Sequence, residues 1–217
     1  MIIYLGVLAF PNWDIYGKLA LYNPFTNGDR FYIYQLLTHM FIHSRDIFFH
    51  VLLNMVALWM FGSQMEKILG LKRFLKVYFL SGLFAAFAQI LFNLGVVYFL
   101  TNDLNVYNYS FDILSEKLSK EQIIGLEKAI FTPMVGASGA ISGIIGAFAR
   151  YFPHQKIFIF PIPFPIAVRK ALVLFIILSS LSAFFNIFSY MAHFAHIGGI
   201  ITGYVMANFY LKKPHVF

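Results

Sequence analysis

Charge-free runs divide this chain at regular intervals. Between Asp46 and Glu66 lie 19 uncharged residues, and further uncharged runs cover residues 77–100 and 129–149. Residues 171–211 form a stretch of 41 whose only ionisable groups are His193, His196 and tyrosines. A bilayer hydrocarbon core of about 30 Å takes about 20 apolar residues per helix. The pattern therefore predicts five spanning helices, at roughly 47–65, 77–100, 136–152, 169–188 and 193–211, with a break in the last long run near residues 189–192. The third is short and rich in glycine. Residues 1–10 are apolar but too few to cross, and they lack the basic start of a signal peptide. They read as the end of an additional span, most of which is missing.

Composition agrees with the pattern. Hydrophobic residues make up 60% of the 217 and charged residues 12%, with 27 phenylalanines and a mean hydropathy of +0.74. A soluble domain carries about 25% charged residues and must cover its surface with polar groups. The chain is therefore predicted to be an integral membrane protein. With no cysteine, disulfides, thiolate metal sites, iron–sulfur clusters and thiol catalysis are excluded.

The net charge of +7 sits between apolar segments, so it reads as membrane topology and not as a nucleic-acid surface. If the 47–65 helix runs from outside to inside, the inner segments hold Lys67, Lys72, Arg73, Lys76, Arg150, Lys156, Arg169, Lys170, Lys212 and Lys213. That is ten of the 16 basic residues, with Glu66 as the one acid among them. The five spans alternate without conflict, and the C-terminus is expected inside. In the outer segment 101–135, Ile113, Leu118, Ile123, Leu126 and Ile130 interleave with charges. Ser119 with Gln122 there resembles a capping box, which predicts one or two amphipathic surface helices. On the inner side, Pro161, Pro163 and Pro165 make residues 157–165 an extended connection. No further domain is expected: residues 1–217 read as one unit.

Chemistry is sought among polar groups placed where polarity is costly. Gly136-Ala137-Ser138-Gly139 opens the third long helix, so Ser138 is expected at an N-terminus, near free backbone N–H groups. Ala195-His196-Ile197-Gly198-Gly199 opens the last. Gly139, Gly143 and Ala147 recur every four residues on one helix, and Gly199, Gly203 and Ala207 on the other. Two such stripes permit close backbone contact, and both helices run in the same direction. Their outer ends can then bring Ser138 and His196 together as nucleophile and general base. Packing is the plainer reading of Ser138 taken alone, whereas for His196 the facing stripes favour the pairing over a packing role. His50 and Asn54, at i and i+4 on one helix face, offer two donors suited to an oxyanion. His39 and His43 are better explained as structural.

Taken in order, these pieces resemble the rhomboid family of intramembrane serine proteases over roughly residues 33–211. They are Leu37-Thr38-His39, His50 with Asn54-Met55, Leu58-Trp59 with Gly62 and Glu66, the run at Gly136 to Gly139, and Ala195-His196-Ile197-Gly198-Gly199 with Gly203. The resemblance implies an all-α polytopic bundle of six helices, the first truncated here. It implies a Ser138–His196 dyad without a carboxylate, needing no cofactor or metal. His50, Asn54 and the Ser138 N–H would hold the oxyanion, with Gly136 among the oxyanion and substrate-binding positions. It also implies cleavage of single-pass transmembrane proteins near small residues, in a water-filled cavity open to the lipid bilayer near the 169–188 helix. The expected location is a bacterial cytoplasmic membrane.

Many members carry an aromatic residue four positions after the serine, packed on the base histidine. Ser142 stands at that position here, which leaves the role to a Phe or Tyr elsewhere. Two other readings compete with the protease. One is a rhomboid-like pseudoprotease that binds membrane clients. The other is a haem or metal protein using His39, His43, His50, His193 and His196.

Overall fold

The computed structural model describes residues 14–43, 48–104, 117–158, 163–184 and 193–211. The apolar segment 1–10 and the break expected near 189–192 lie outside the described residues, as does the outer-loop stretch 105–116. Two short helices, α1 (Ile15–Leu19) and α2 (Gln35–Thr38), belong to the segment ahead of the first span. The predicted 47–65 span is α3 (Phe48–Ala57), which passes through a π-helical turn at Leu58–Gly62 into α4 (Ser63–Leu69). Gly70, at φ +73°, takes the left-handed backbone that side chains disfavour and turns the chain into α5 (Leu71–Thr101). Next come α6 (Lys120–Phe131), α7 (Ser138–Tyr151), α8 (Val168–Phe184) and α9 (His193–Leu211).

The differences from the predicted spans have physical causes. Helix α5 begins six residues before 77 and takes in Lys72, Arg73 and Lys76. Long basic side chains at a helix end can lay their stems on apolar surface while the charge reaches water, so charge alone does not end a helix. With 31 residues, α5 is long and apolar enough to cross a bilayer. Helix α7 starts at Ser138, two residues later than expected. Its 14 residues span about 21 Å at 1.5 Å per residue, less than a hydrocarbon core. On the proline-rich connection, β1 (Lys156–Ile157) pairs antiparallel with β2 (Ile166–Ala167), consistent with an extended segment.

Short as it is, α7 occupies the centre: Gly139 through Ile144 and Gly146 through Ala149 are buried between α5 and α9. Large apolar side chains face outward instead on α5 (Leu80, Phe84, Leu91, Phe99) and on α8 (Val173, Ile177, Leu178). In lipid such exposure costs nothing, and helices associate through close packing. The two glycine stripes supply that packing. A β-carbon on Gly199 would run into the Gly139 carbonyl oxygen, and one on Gly203 into that of Gly143. Gly146 meets the backbone of Ile200 in the same way, and Gly143 also faces Ser81 of α5. At the other end of this seam, Arg150 donates from Nε (3.1 Å) and Nη2 (2.8 Å) to Asn208 Oδ1. Arg73 lies 5.3 Å from the centre of the Tyr210 ring.

The segment before α3 is fastened to the bundle by polar contacts. Gln35 is fully buried, and its amide makes four hydrogen bonds. Nε2 donates to the carbonyls of Lys18 and Arg30, and Oε1 accepts from the N–H groups of Tyr22 and Tyr32. Leu21 and Met134 exchange backbone hydrogen bonds, and the Gly136 N–H donates to the His39 carbonyl at 2.9 Å. The capping box reads as expected: Ser119 Oγ accepts from the Gln122 N–H, and the Gln122 side chain accepts from the Ser119 N–H at 2.8 Å. Helix α6 then packs Leu126, Ala129 and Ile130 on Val97 of α5.

His39 donates from Nδ1 to the Gln35 carbonyl at 2.8 Å. Burial outweighs that bond and holds the imidazole pKa down at about 4, against an ordinary 6.5. Between those values the unfolded chain takes up a proton that the folded chain refuses. Stability is therefore expected to fall as pH drops from 6.5 toward 4, by about 3 kcal/mol from this residue. Thermal unfolding in detergent should show that fall in the native protein and a flatter profile in His39→Asn. Equal profiles would remove His39 as the cause.

Candidate active site

Three features of the backbone prepare the start of α7. Pro133 discourages helix before it, and Gly136 adopts φ +118°. The Gly136 N–H is tied to the His39 carbonyl. Ala137 precedes the helix with no side-chain cap, so the first-turn N–H groups face outward at the positive end of the helix dipole. Ser138 is the first residue of that turn.

Helix α9 begins at His193, and Gln89 of α5 steadies its opening turn. Gln89 Oε1 accepts from the Ala195 N–H at 3.3 Å, while its Nε2 donates to Asn93 Oδ1 at 2.8 Å. With the glycine seam closing α7 onto α9, Ser138 Oγ and His196 Nε2 stand 2.9 Å apart. The two residues are 58 positions apart in the chain. Nδ1 of His196 is buried without a hydrogen-bond partner among the described residues, as are both ring nitrogens of His193 and His43. The described residues contain no group of three or more His, Cys, Asp or Glu side chains able to hold a metal ion. The five-histidine metal reading thus has no geometric support among them.

His50 and Asn54 approach from α3. The point where a β-carbon on Gly136 would sit lies 3.1 Å from His50 Nε2 and 3.6 Å from Ser138 Oγ. Glycine therefore keeps open a small space bordered by both groups, and with its N–H already bonded it contributes room more than a donor. Asn54 is buried and donates from Nδ2 to the His50 carbonyl at 2.7 Å. A primary amide carries two N–H bonds, so one remains for a ligand. The His50 ring also meets that of His43 edge-on, with centroids 5.5 Å apart.

Helix α8 also reaches the site. The Phe175 ring of α8 lies 6.0 Å from the His196 ring at 46°. Neither Phe175 nor Gln89 stands out in the sequence. One is an ordinary member of an apolar run, and the other is a lone amide whose partner is 106 residues away.

Comparison with known proteins identifies the family. The Rhomboid domain family matches residues 30–213. The chain belongs to the rhomboid family. It is consequently an integral membrane protein with an all-α, rhomboid-like bundle. Rhomboid protein 1, mitochondrial, of Saccharomyces cerevisiae is 30% identical over 170 residues, covering 78% of this chain and 40% of the yeast protein. RHOMBOID-like protein 6, mitochondrial, of Arabidopsis thaliana is 24% identical over 83% of this chain and 45% of its own length. Rhomboid protease GlpG of Yersinia pestis is 23% identical over 94% of this chain and 57% of its own length. The chain thus spans roughly half the length of these relatives.

Proposed function

We propose that this chain is an intramembrane serine endopeptidase, acting as one rhomboid-like unit through Ser138 and His196. The observation that carries the reading is the 2.9 Å contact between Ser138 Oγ and His196 Nε2 at the open N-terminal end of α7. Depth supports it. Twelve residues separate Ser138 from Arg150, about 18 Å along the helix axis. With Arg150 at the basic, inner face, the hydroxyl sits below the outer boundary of a 30 Å core. The C-terminus is then inside.

In the proposed reaction His196 Nε2 takes the Ser138 proton while Oγ attacks the scissile carbonyl carbon. The resulting oxyanion accepts from the Ser138 N–H, from His50 and from the free N–H of Asn54. His196 then passes its proton to the departing amine, which leaves an acyl-enzyme. Water, deprotonated by His196, attacks the ester carbonyl and releases Ser138. The proposed substrates are single-pass transmembrane proteins. A peptide bond inside a helix is shielded by its neighbours and its backbone is fully bonded, so cleavage requires a locally unwound segment, which small residues favour. A bacterial cytoplasmic membrane is proposed as the location, supported by the extent of the match to the Yersinia protein; membrane fractionation of the source cell tests it.

Labelling of the detergent-purified chain with a fluorophosphonate tests the reactive serine without any knowledge of the substrate. The native chain should label and Ser138→Ala should not. Equal labelling of both would remove the assignment, and no labelling of a folded native chain would favour a client-binding pseudoprotease. Asn54→Ala should keep residual cleavage, with kcat lower by about 10²–10³, the order found for one oxyanion donor. A KM effect alone would show that Asn54 binds substrate without stabilising the intermediate.

A further inference from the structure

For His196 Nε2 to accept the Ser138 proton, the neutral ring must carry its own proton on Nδ1. That Nδ1 is buried without a hydrogen-bond partner among the described residues. A buried donor in this state is costly, and more so once the ring becomes a cation. His193, three residues earlier on α9, has the complementary need. Its neutral ring offers one acceptor and one donor nitrogen, both buried and both unpartnered among the described residues. The two residues are only 7% and 8% exposed, and packing alone would be met more cheaply by Leu or Phe. Side chains at i and i+3 share a helix face, with β-carbons about 5–6 Å apart, and His193 lies within electrostatic reach of His196. His43, orphaned at both nitrogens likewise, sits edge-on to His50 instead. Helix α5 grips the turn that carries the pair. Phe92 stacks on Phe194, with centroids 4.0 Å apart and planes at 13°, and Gln89 accepts from the Ala195 N–H. Both residues between the two histidines are thus held from one helix.

We propose that His193 is a positioning residue for the base, through one bound water that accepts from His196 Nδ1–H and donates to a ring nitrogen of His193. Two hydrogen bonds of about 2.8 Å let a water span roughly 5–6 Å, comparable to the spacing of side chains one helical turn apart. The bridge fixes the plane of the His196 ring and the tautomer that leaves Nε2 free to accept the serine proton. When Nε2 takes that proton, the Nδ1 proton stays on His196, and its bond to the water strengthens because the donor is now charged. No proton passes to His193. The second imidazole thus supplies, through a water, the orienting acceptor that a buried carboxylate supplies in a triad, without burying a negative charge. The inference rests on the Ser138–His196 dyad proposed above.

The test compares His193→Phe, His193→Asn, His193→Gln and Ser138→Ala in the purified full chain, reading cleavage of a single-pass reporter that the native protein cuts and the rate of fluorophosphonate labelling. Phenylalanine keeps a flat ring of similar size and removes both nitrogens. His193→Phe should lower kcat and labelling by about tenfold to a hundredfold, the order of one hydrogen bond to a charged group. KM should hold, and the melting temperature should hold or rise, since an apolar ring is cheaper to bury. A carboxamide keeps an acceptor and a donor, so at least one of Asn and Gln should restore most of both rates. Native kcat in His193→Phe, a change confined to KM, a melting temperature that falls in step with kcat, or failure of both carboxamides to restore would each overturn the proposal. If His193→Phe does not fold, His193→Leu takes its place under the same criteria. Cleavage surviving in Ser138→Ala would instead sink the dyad, so the two failures are distinguishable.

Discussion

Ser138→Ala and His196→Ala are each expected to abolish cleavage of a transmembrane substrate, with a loss of about 10⁶-fold in kcat, as for nucleophile and base in soluble serine proteases. The reason lies in the 2.9 Å contact: in the proposed mechanism neither group does the chemistry without the other. The double variant should be no slower than either single one, because the second change removes a partner already idle. Folding should be little affected. The serine hydroxyl contributes one hydrogen bond, worth about 1 kcal/mol net, and the bundle is held by packing elsewhere. Single-turnover cleavage, with melting temperature measured in the same detergent, checks both halves of the prediction. Multiplicative losses in the double variant would mean that the two residues act independently, and the dyad would fail.

The largest stability effect is expected along the seam between α7 and α9. In Gly203→Ala the new β-carbon meets the Gly143 carbonyl, and in Gly199→Ala it meets the Gly139 carbonyl. Backbone oxygens in the middle of a packed helix cannot swing away as a side chain can, so the helices must separate. Overpacking of a tight core costs about 1–3 kcal/mol, and a backbone obstacle puts these variants at the upper end or beyond. Separation also draws His196 away from Ser138, so residual activity should fall further than the folded fraction. Gly95→Ala is the internal control. No atom lies within 4 Å of its added carbon, and it sits in the exposed face of α5. Alanine there should leave the protein as stable or stabilise it by up to about 1 kcal/mol. Unfolding in detergent that ranks Gly203→Ala with Gly95→Ala would show that the seam does not rest on backbone contact at these glycines.

Much of this architecture can be read from linear pattern. Charge-free runs mark the helices because a bilayer excludes charge over a fixed thickness. The stripes at Gly139, Gly143 and Ala147 and at Gly199, Gly203 and Ala207 signal a contact because only small residues allow backbones to touch. Serine and histidine at the starts of those two helices then follow from register. Ser119 and Gln122 announce a helix start through chemistry confined to four residues. The boundaries were less legible. Helix α5 runs on through Lys72, Arg73 and Lys76, where a rule based on charge would stop.

Local sequence by itself marked the described long helices and the small-residue faces, and it named the polar pair that the structure brings together. Each follows from the chain's own periodicity against a solvent of fixed thickness. Tertiary structure alone decided the rest: that Gly136 opens a space shared by His50 and Ser138, that Gln89 pins the start of α9, and that Phe175 meets the His196 ring. These contacts join residues on different helices. No local propensity encodes such a meeting, because which face of α8 turns inward is settled only when all the neighbouring helices have packed.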